Sequence, residues 1–150
     1  MAYSTVSDLT RWIDSDELVR LCSTDPSATI ASADVLEVAG EAIENADSQI
    51  DSYLLGRWPG LRSYDPVPDE INRLSAIIAV YQLYLRRRAV SSDWRTSYQD
   101  SLERLAAASR GELDLGLDDS GSTAAEPEEI YRTDAEESDR KYSSEKLDKF

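Results

Sequence analysis

The 150-residue sequence contains no histidine, and Cys22 is its only cysteine. Without histidine the chain lacks the usual neutral-pH base and the commonest nitrogen ligand for metals. One cysteine allows no intrachain disulfide and no thiolate metal cage, so nothing points to an oxidising compartment, and Cys22 reads as a free, packed thiol. No Gly-x-Gly-x-x-Gly or Gly-x-x-x-x-Gly-Lys loop is present to cradle phosphate. The longest apolar run, Ala76 to Tyr81, is far short of a membrane span. Met1-Ala2-Tyr3-Ser4 has neither the basic start nor the apolar stretch of a secretory signal, so a cytoplasmic site of synthesis and folding is expected. Basic residues are also scarce: 16 Lys and Arg stand against 30 Asp and Glu, a net charge of −14. That balance argues against a broad surface that grips nucleic-acid phosphates.

The chain divides into two kinds of material, and its length suits one domain with an appendage. Residues 1–110 hold 11 basic and 17 acidic groups (net −6), whereas residues 111–150 hold 5 and 13 (net −8). From Glu112 onward Asp, Ser, Gly, Glu and Thr dominate, with Ile130, Tyr131, Tyr142, Leu147 and Phe150 as isolated apolar points. Such a stretch cannot bury enough surface to offset its ordering entropy, so it is expected to be disordered alone and to order on binding. All three lysines lie there, while the body uses arginine exclusively. Either arginine serves planar pairing at interfaces or the usage reflects genomic composition.

Helical spacing runs through the body. Ser4 or Ser7 can cap a short helix through Leu9, Trp12 and Ile13, and Ser15 a second one carrying Leu18, Val19 and Leu21. After Ser32, Val35, Ala39, Ala42, Ile43, Ala46, Ile50, Tyr53 and Leu54 recur at helical steps within about one third of a wheel, which predicts a long amphipathic helix. Gly56 to Pro68 is a breaker-rich connection of about a dozen residues, and such loops inside compact bodies are held by contacts. From Pro68, Ile71, Leu74, Ile77, Ile78, Tyr81, Tyr84 and Leu85 spread over more than half the circumference, so this helix is central to its bundle or lies against another subunit. Arg86, Arg87 and Arg88 close it, where cations suit the dipole. Ser92 begins a last helix striped by Trp94, Tyr98, Leu102 and Leu105, with Gly111 available as its left-handed terminator. The expected fold is all-α: a compact bundle of about five helices, two short and three longer, over 1–110, then an extended acidic tail over 111–150.

The long helix carries Asp34, Glu37, Glu41, Glu44 and Asp51 on its opposite face, with Asp47 at the margin and no cation before Arg57. Like charges at these spacings repel unless solvated or met by a partner. Magnesium chemistry is one alternative, because all-helical nucleotide pyrophosphohydrolases set Glu-x-x-Glu on one helix and an acidic pair on a neighbour. Glu41 and Glu44 with Asp47 have that spacing, and Asp100 with Glu103 would supply the second pair. The second glutamate local to the first motif is missing, and no cation is obviously placed for a triphosphate.

Several segments together resemble the small connector family of tailed phages and Mu-like prophages, related to head-tail adaptor and head-completion proteins. They are Tyr3-Ser4-Thr5 with Asp8-Leu9, then Ile50-Asp51-Ser52-Tyr53-Leu54-Leu55-Gly56-Arg57, and Val67-Pro68 with Ile71, Arg73-Leu74, Ile78-Ala79 and Tyr81-Gln82-Leu83-Tyr84. The likeness covers about residues 3–113, and the middle segment is its most specific part. It implies a helical virion protein with no catalytic activity and no cofactor, a ring of about twelve copies beneath the portal protein. Such a ring extends the DNA channel, lets DNA pass without specific binding and offers a docking surface to the head-closure or tail-completion protein. The tail after Gly111 exceeds the usual family length.

Within that frame Asp34, Glu37, Glu41, Glu44 and Asp51 are candidates for the channel lining, where carboxylates repel passing DNA. Ile130, Tyr131, Tyr142, Leu147 and Phe150 are candidate anchors on a partner, with Trp58, Tyr64 and Arg86, Arg87 and Arg88 as further interface candidates. Trp58 and Tyr64 can equally fold back onto the body. A free-standing acidic mimic of DNA, inhibiting a DNA-processing protein, is the rival outside the family reading. No membrane partner is expected.

Overall fold

The computed structural model describes residues 2–117. Among them are five α-helices and no strand: α1 Val6–Leu9, α2 Ser15–Cys22, α3 Ala33–Leu54, α4 Asp69–Arg86 and α5 Ser92–Ser109, with a 3-10 turn at Leu61–Ser63 between α3 and α4. None of these helices is long and apolar enough to cross a membrane. The all-helical expectation is met, two short helices preceding three long ones.

The wide apolar face of α4 is absorbed inside the body. Ile71, Leu74, Ile77, Ile78, Val80 and Leu83 are all buried, and α4 packs on each of the other four helices. Only Leu85, 55% exposed, is left outside among its large apolar residues. Centrality therefore explains this face without a neighbouring subunit. Against α4 lie Val35, Ile43, Ile50 and Leu54 of α3, Leu18 and Leu21 of α2, Leu9 of α1 and Leu105 of α5. Tyr81 of α4 stacks on Tyr98 of α5, ring centroids 4.1 Å apart, and the Tyr98 hydroxyl accepts from Gln49 Nε2 of α3 at 2.8 Å.

Two helix ends follow the same backbone motif with different residues. At the end of α5, Glu112 N–H donates to Ala107 O and Gly111 N–H to Ala108 O, both at 2.9 Å, with Gly111 at φ +78°. This is the glycine stop the sequence suggested. At the end of α4 the equivalent bonds run from Ala89 to Tyr84 and from Arg88 to Leu85, and the left-handed position is held by Arg88 at φ +55°. Packing also runs past the expected boundary at Arg110. Leu115 and Leu117 are buried in the core and Leu113 packs on it, so the first seven residues after Arg110 belong to the body.

The long connection earns its order through burial of Trp58 and Leu61. The first helix is capped by neither Ser4 nor Ser7. Thr5 does this work, its N–H and hydroxyl both donating to Asp8 at 2.8 and 2.7 Å, while Ser4 is buried and bonds Ser75 on α4.

Candidate interaction surfaces

A buried polar knot ties the first residues to the bundle. Tyr3 N–H donates to Asp47 Oδ2 at 2.9 Å and its hydroxyl donates to Asp51 Oδ1. Ser75 donates to Asp47 Oδ1 at 2.7 Å, and Asn72 Nδ2 donates to Tyr3 O at 2.9 Å and to Asp8 at 3.1 Å. Arg62, from the 3-10 turn, pairs with Asp51 Oδ2. Burial raises the Asp47 carboxyl above its usual range, because the bonds from Ser75 and Tyr3 offset only part of the desolvation and the Asp51 charge adds to it. Burial and the bond to Asp51 push the Tyr3 phenol well above its ordinary value. At Asp8 burial acts upward too, but the bonds from Thr5 and Asn72 outweigh it and hold this carboxyl low.

The knot divides the carboxylate strip of α3. Asp34, Glu37, Glu41 and Glu44 are exposed on the outer face as expected. Asp51 is not part of that surface: it is 7% exposed and committed to Tyr3 and Arg62, so its place in a channel lining is corrected. The physical reason is that a loop cation, Arg62, and a phenol from the N-terminus meet it, neither of which lies near it on the helix. Ion pairs within the described residues use Asp8, Glu17, Asp51, Glu70 and Glu112, and leave the four outer carboxylates unpaired. The two acidic pairs considered for magnesium are not assembled. Asp47 turns inward, and among the described residues no three side chains of metal-ligating type converge.

The arginine run is also put to internal use. Arg87 donates from Nε to Leu21 O and from Nη2 to Ser23 O, both at 2.9 Å, and Arg86 Nη1 donates to Cys22 O at 3.2 Å. These are carbonyls at the end of α2, which need donors that the helix itself cannot supply. Arg88, the third of the run, is exposed and makes no inward hydrogen bond among the described residues. Trp58 is corrected from interface anchor to core residue: it is 5% exposed, with the Arg57 guanidinium 5.0 Å from its ring centroid. Tyr64 is half-buried against the core. Ile130, Tyr131, Tyr142, Leu147 and Phe150 lie outside the described residues. Cys22 is buried, and desolvation pushes its thiol up to about 11 although Arg86 and Arg87 pull the other way.

Sequence spacing missed Trp12. It stands three residues after Leu9 and so looked like core, but α1 stops at Leu9 and leaves Trp12 40% exposed, with Arg73 5.7 Å from its ring centroid. It forms one wall of a groove of about 400 Å³ between the N-terminal turn, α4 and α5.

Taken together these features describe a small all-helical body with a buried polar knot, an outward acidic helix face and an aromatic groove. Its sequence matches the family model described as bacteriophage Mu, Gp36, over residues 3–132. The chain belongs to this family of Mu-like phage proteins. It is also 34% identical over 83 residues to the Mu-like prophage FluMu protein gp36 of Haemophilus influenzae. That alignment takes in 55% of this chain and 56% of the relative, so the chain spans about half the length of the curated protein it matches. The family match also runs well beyond Gly111, which corrects the expectation that everything after that residue exceeds the family length.

Proposed function

We infer that this chain is a structural connector of a Mu-like phage particle. In this reading about twelve copies form a ring beneath the portal, extend its DNA channel and present a docking surface to the head-closure or tail-completion protein. Its place is the head-tail junction of the virion after assembly in the host cytoplasm, and neither catalysis nor a cofactor enters its work.

The observation that carries the reading is the outward face of α3 in a chain of this family. Asp34, Glu37, Glu41 and Glu44 are exposed and unpaired within the described residues. Facing a lumen, such carboxylates repel passing DNA and keep it from adhering. A genome deletion tests the function: particles made without this protein should accumulate as DNA-filled heads and separate tails, and the purified protein should restore joining. Infectious particles formed without it would overturn the reading.

A second reading uses the same face. Four carboxylates along ten positions of rigid helix span about 15 Å, which suits an acidic mimic of DNA that occupies a DNA-processing protein. That role predicts a monomer or dimer that binds such a protein and ignores phage heads.

A further inference from the structure

Two surfaces of the α4–α5 pair have no use inside the chain, and they lie on opposite sides of it. One is the Trp12 groove. Its lining is apolar at Trp12, Leu74, Ile77 and Trp94, and its carboxylates Asp93 and Asp100 enter none of the ion pairs among the described residues. Its two cations, Arg73 and Arg104, both turn to Glu70. The occupant that suits these walls is an apolar side chain with cations beside it.

The other surface is the corner from Leu85 to Arg95, which has that character. Leu85 is 55% exposed, and Arg88 and Arg95 are exposed and enter none of those ion pairs. Arg88 also holds a left-handed position, φ +55°, of the kind that Gly111 fills at the end of α5. An exposed arginine kept where glycine is favoured, with no inward bond to hold it, has its use in a contact outside the chain. Tyr84 meets Trp94 where the two helices pack. On α5, Asp93 precedes Trp94 and Arg95 follows it, about 200° apart around the helix. On α4, Leu85 lies about 120° around from Arg73. A chain therefore cannot bring its own corner into its own groove.

We propose that the groove receives the Leu85 corner of a second copy, with Leu85 against Trp12 and Trp94, and Arg88 and Arg95 facing Asp93 and Asp100. Because corner and groove are different surfaces, the contact is heterologous: each copy gives one corner and receives another, and such contacts make a ring when the rotation closes. The closed ring rests on the connector reading, to which this contact adds the surfaces that build it. A groove of about 400 Å³ takes side chains rather than a whole element, so one contact alone is weak and closure on a template makes it persist.

The test is cross-linking between copies of the full-length chain. One copy carries Ala89→Cys beside the corner, the other Ser97→Cys in the groove, and a short flexible dimaleimide joins thiols that come together. Cys22 is buried and out of its reach. The mixed product should form about tenfold faster than that of Ser97→Cys with Glu41→Cys on the outer face of α3, a difference of 1.4 kcal/mol. Asp93→Arg with Asp100→Arg in the groove copy, or Arg88→Glu with Arg95→Glu in the corner copy, should abolish the preference, and pairing the two reversed copies should restore it. Arg88→Gly in the corner copy should also lower the rate, which an arginine with a purely local role would not do. Equal rates from Ala89 and Glu41, or preferred joining of two Ala89 or two Ser97 positions, would overturn the proposal. Electron imaging of portal-bearing heads judges the ring separately. A layer at the vertex without the mixed cross-link overturns this contact and leaves the connector reading standing, whereas the mixed cross-link with a bare vertex supports the contact and counts against the connector reading.

Discussion

Tyr3→Phe removes one oxygen from the polar knot and leaves the ring that fills the same space. Tyr3 is 3% exposed and Asp51 is 7% exposed, so the lost donor cannot be replaced by bulk water. A hydrogen bond to a charged group contributes about 1.5–3 kcal/mol, and the phenyl ring keeps the packing, so the expected loss is about 2 kcal/mol. Arg62 still pairs with the other oxygen of Asp51, but its side chain is 63% exposed and its contribution is correspondingly screened. Urea unfolding is the assay: with a slope of about 1–3 kcal/mol/M, the midpoint should fall by roughly 1 M while the slope stays the same. Asp51→Asn in the same background closes a double-mutant cycle, where a coupling of about 1–2 kcal/mol is expected for groups in direct contact. A loss below about 0.5 kcal/mol for Tyr3→Phe, or strict additivity with Asp51→Asn, would refute the claim that this bond fastens the N-terminal residues to α3.

Asp47 and Asp8 shift in opposite directions and give opposite pH dependences. The Asp47 carboxyl is raised in the fold, so its favourable contribution is complete below the unfolded value of about 3.9 and is lost as pH rises through the folded value; the stability of wild type relative to Asp47→Asn should decline between pH 4 and neutrality in urea titrations. Asp8 is lowered, so its contribution is complete above the unfolded value and is lost only as pH falls through a still lower one; relative to Asp8→Asn, wild type should lose its advantage only under acid conditions. Arg88→Gly should raise stability by about 1 kcal/mol by removing left-handed strain, whereas Arg87→Ala should lower it by about 1–2 kcal/mol by stripping donors from the end of α2, both read from denaturant midpoints. Gly111→Ala should destabilise, because φ is +78° and a Cβ would lie 2.2 Å from Arg57 Nη1, while Gly40→Ala, with nothing near the added carbon, should stabilise α3 by up to about 1 kcal/mol.

The helices were legible because their signals are local. The spacing from Val35 to Leu54 and the breadth of the apolar face from Ile71 to Leu85 are properties of single segments, and both became helices at the expected positions. What the spacing left open was the partner of each face. Asp51 lies on an acidic stripe of α3, yet Tyr3 and Arg62, 48 and 11 positions away, decide that it is buried. Arg86 and Arg87 looked like a surface cluster, and their role depends on where α2 ends in space. Trp12 shows the converse: its distance from Leu9 fits a helical face, but the helix stops before reaching it. Local pattern reports periodicity, whereas burial of a polar or aromatic side chain is settled by residues far along the chain. Among the segments that carried the family likeness, Tyr3, Asp8 and Asp51 turn out to be members of the knot that joins the N-terminus to the bundle.

The connector reading is tested most directly by measuring mass by light scattering for the purified full-length protein, alone and mixed with portal-bearing heads, followed by electron imaging of the heads. The account predicts a stoichiometric layer at the portal vertex, about twelve copies in a ring, with the α3 face bearing Asp34, Glu37, Glu41 and Glu44 turned to the lumen. A protein that stays monomeric or dimeric and leaves the vertex bare would contradict it.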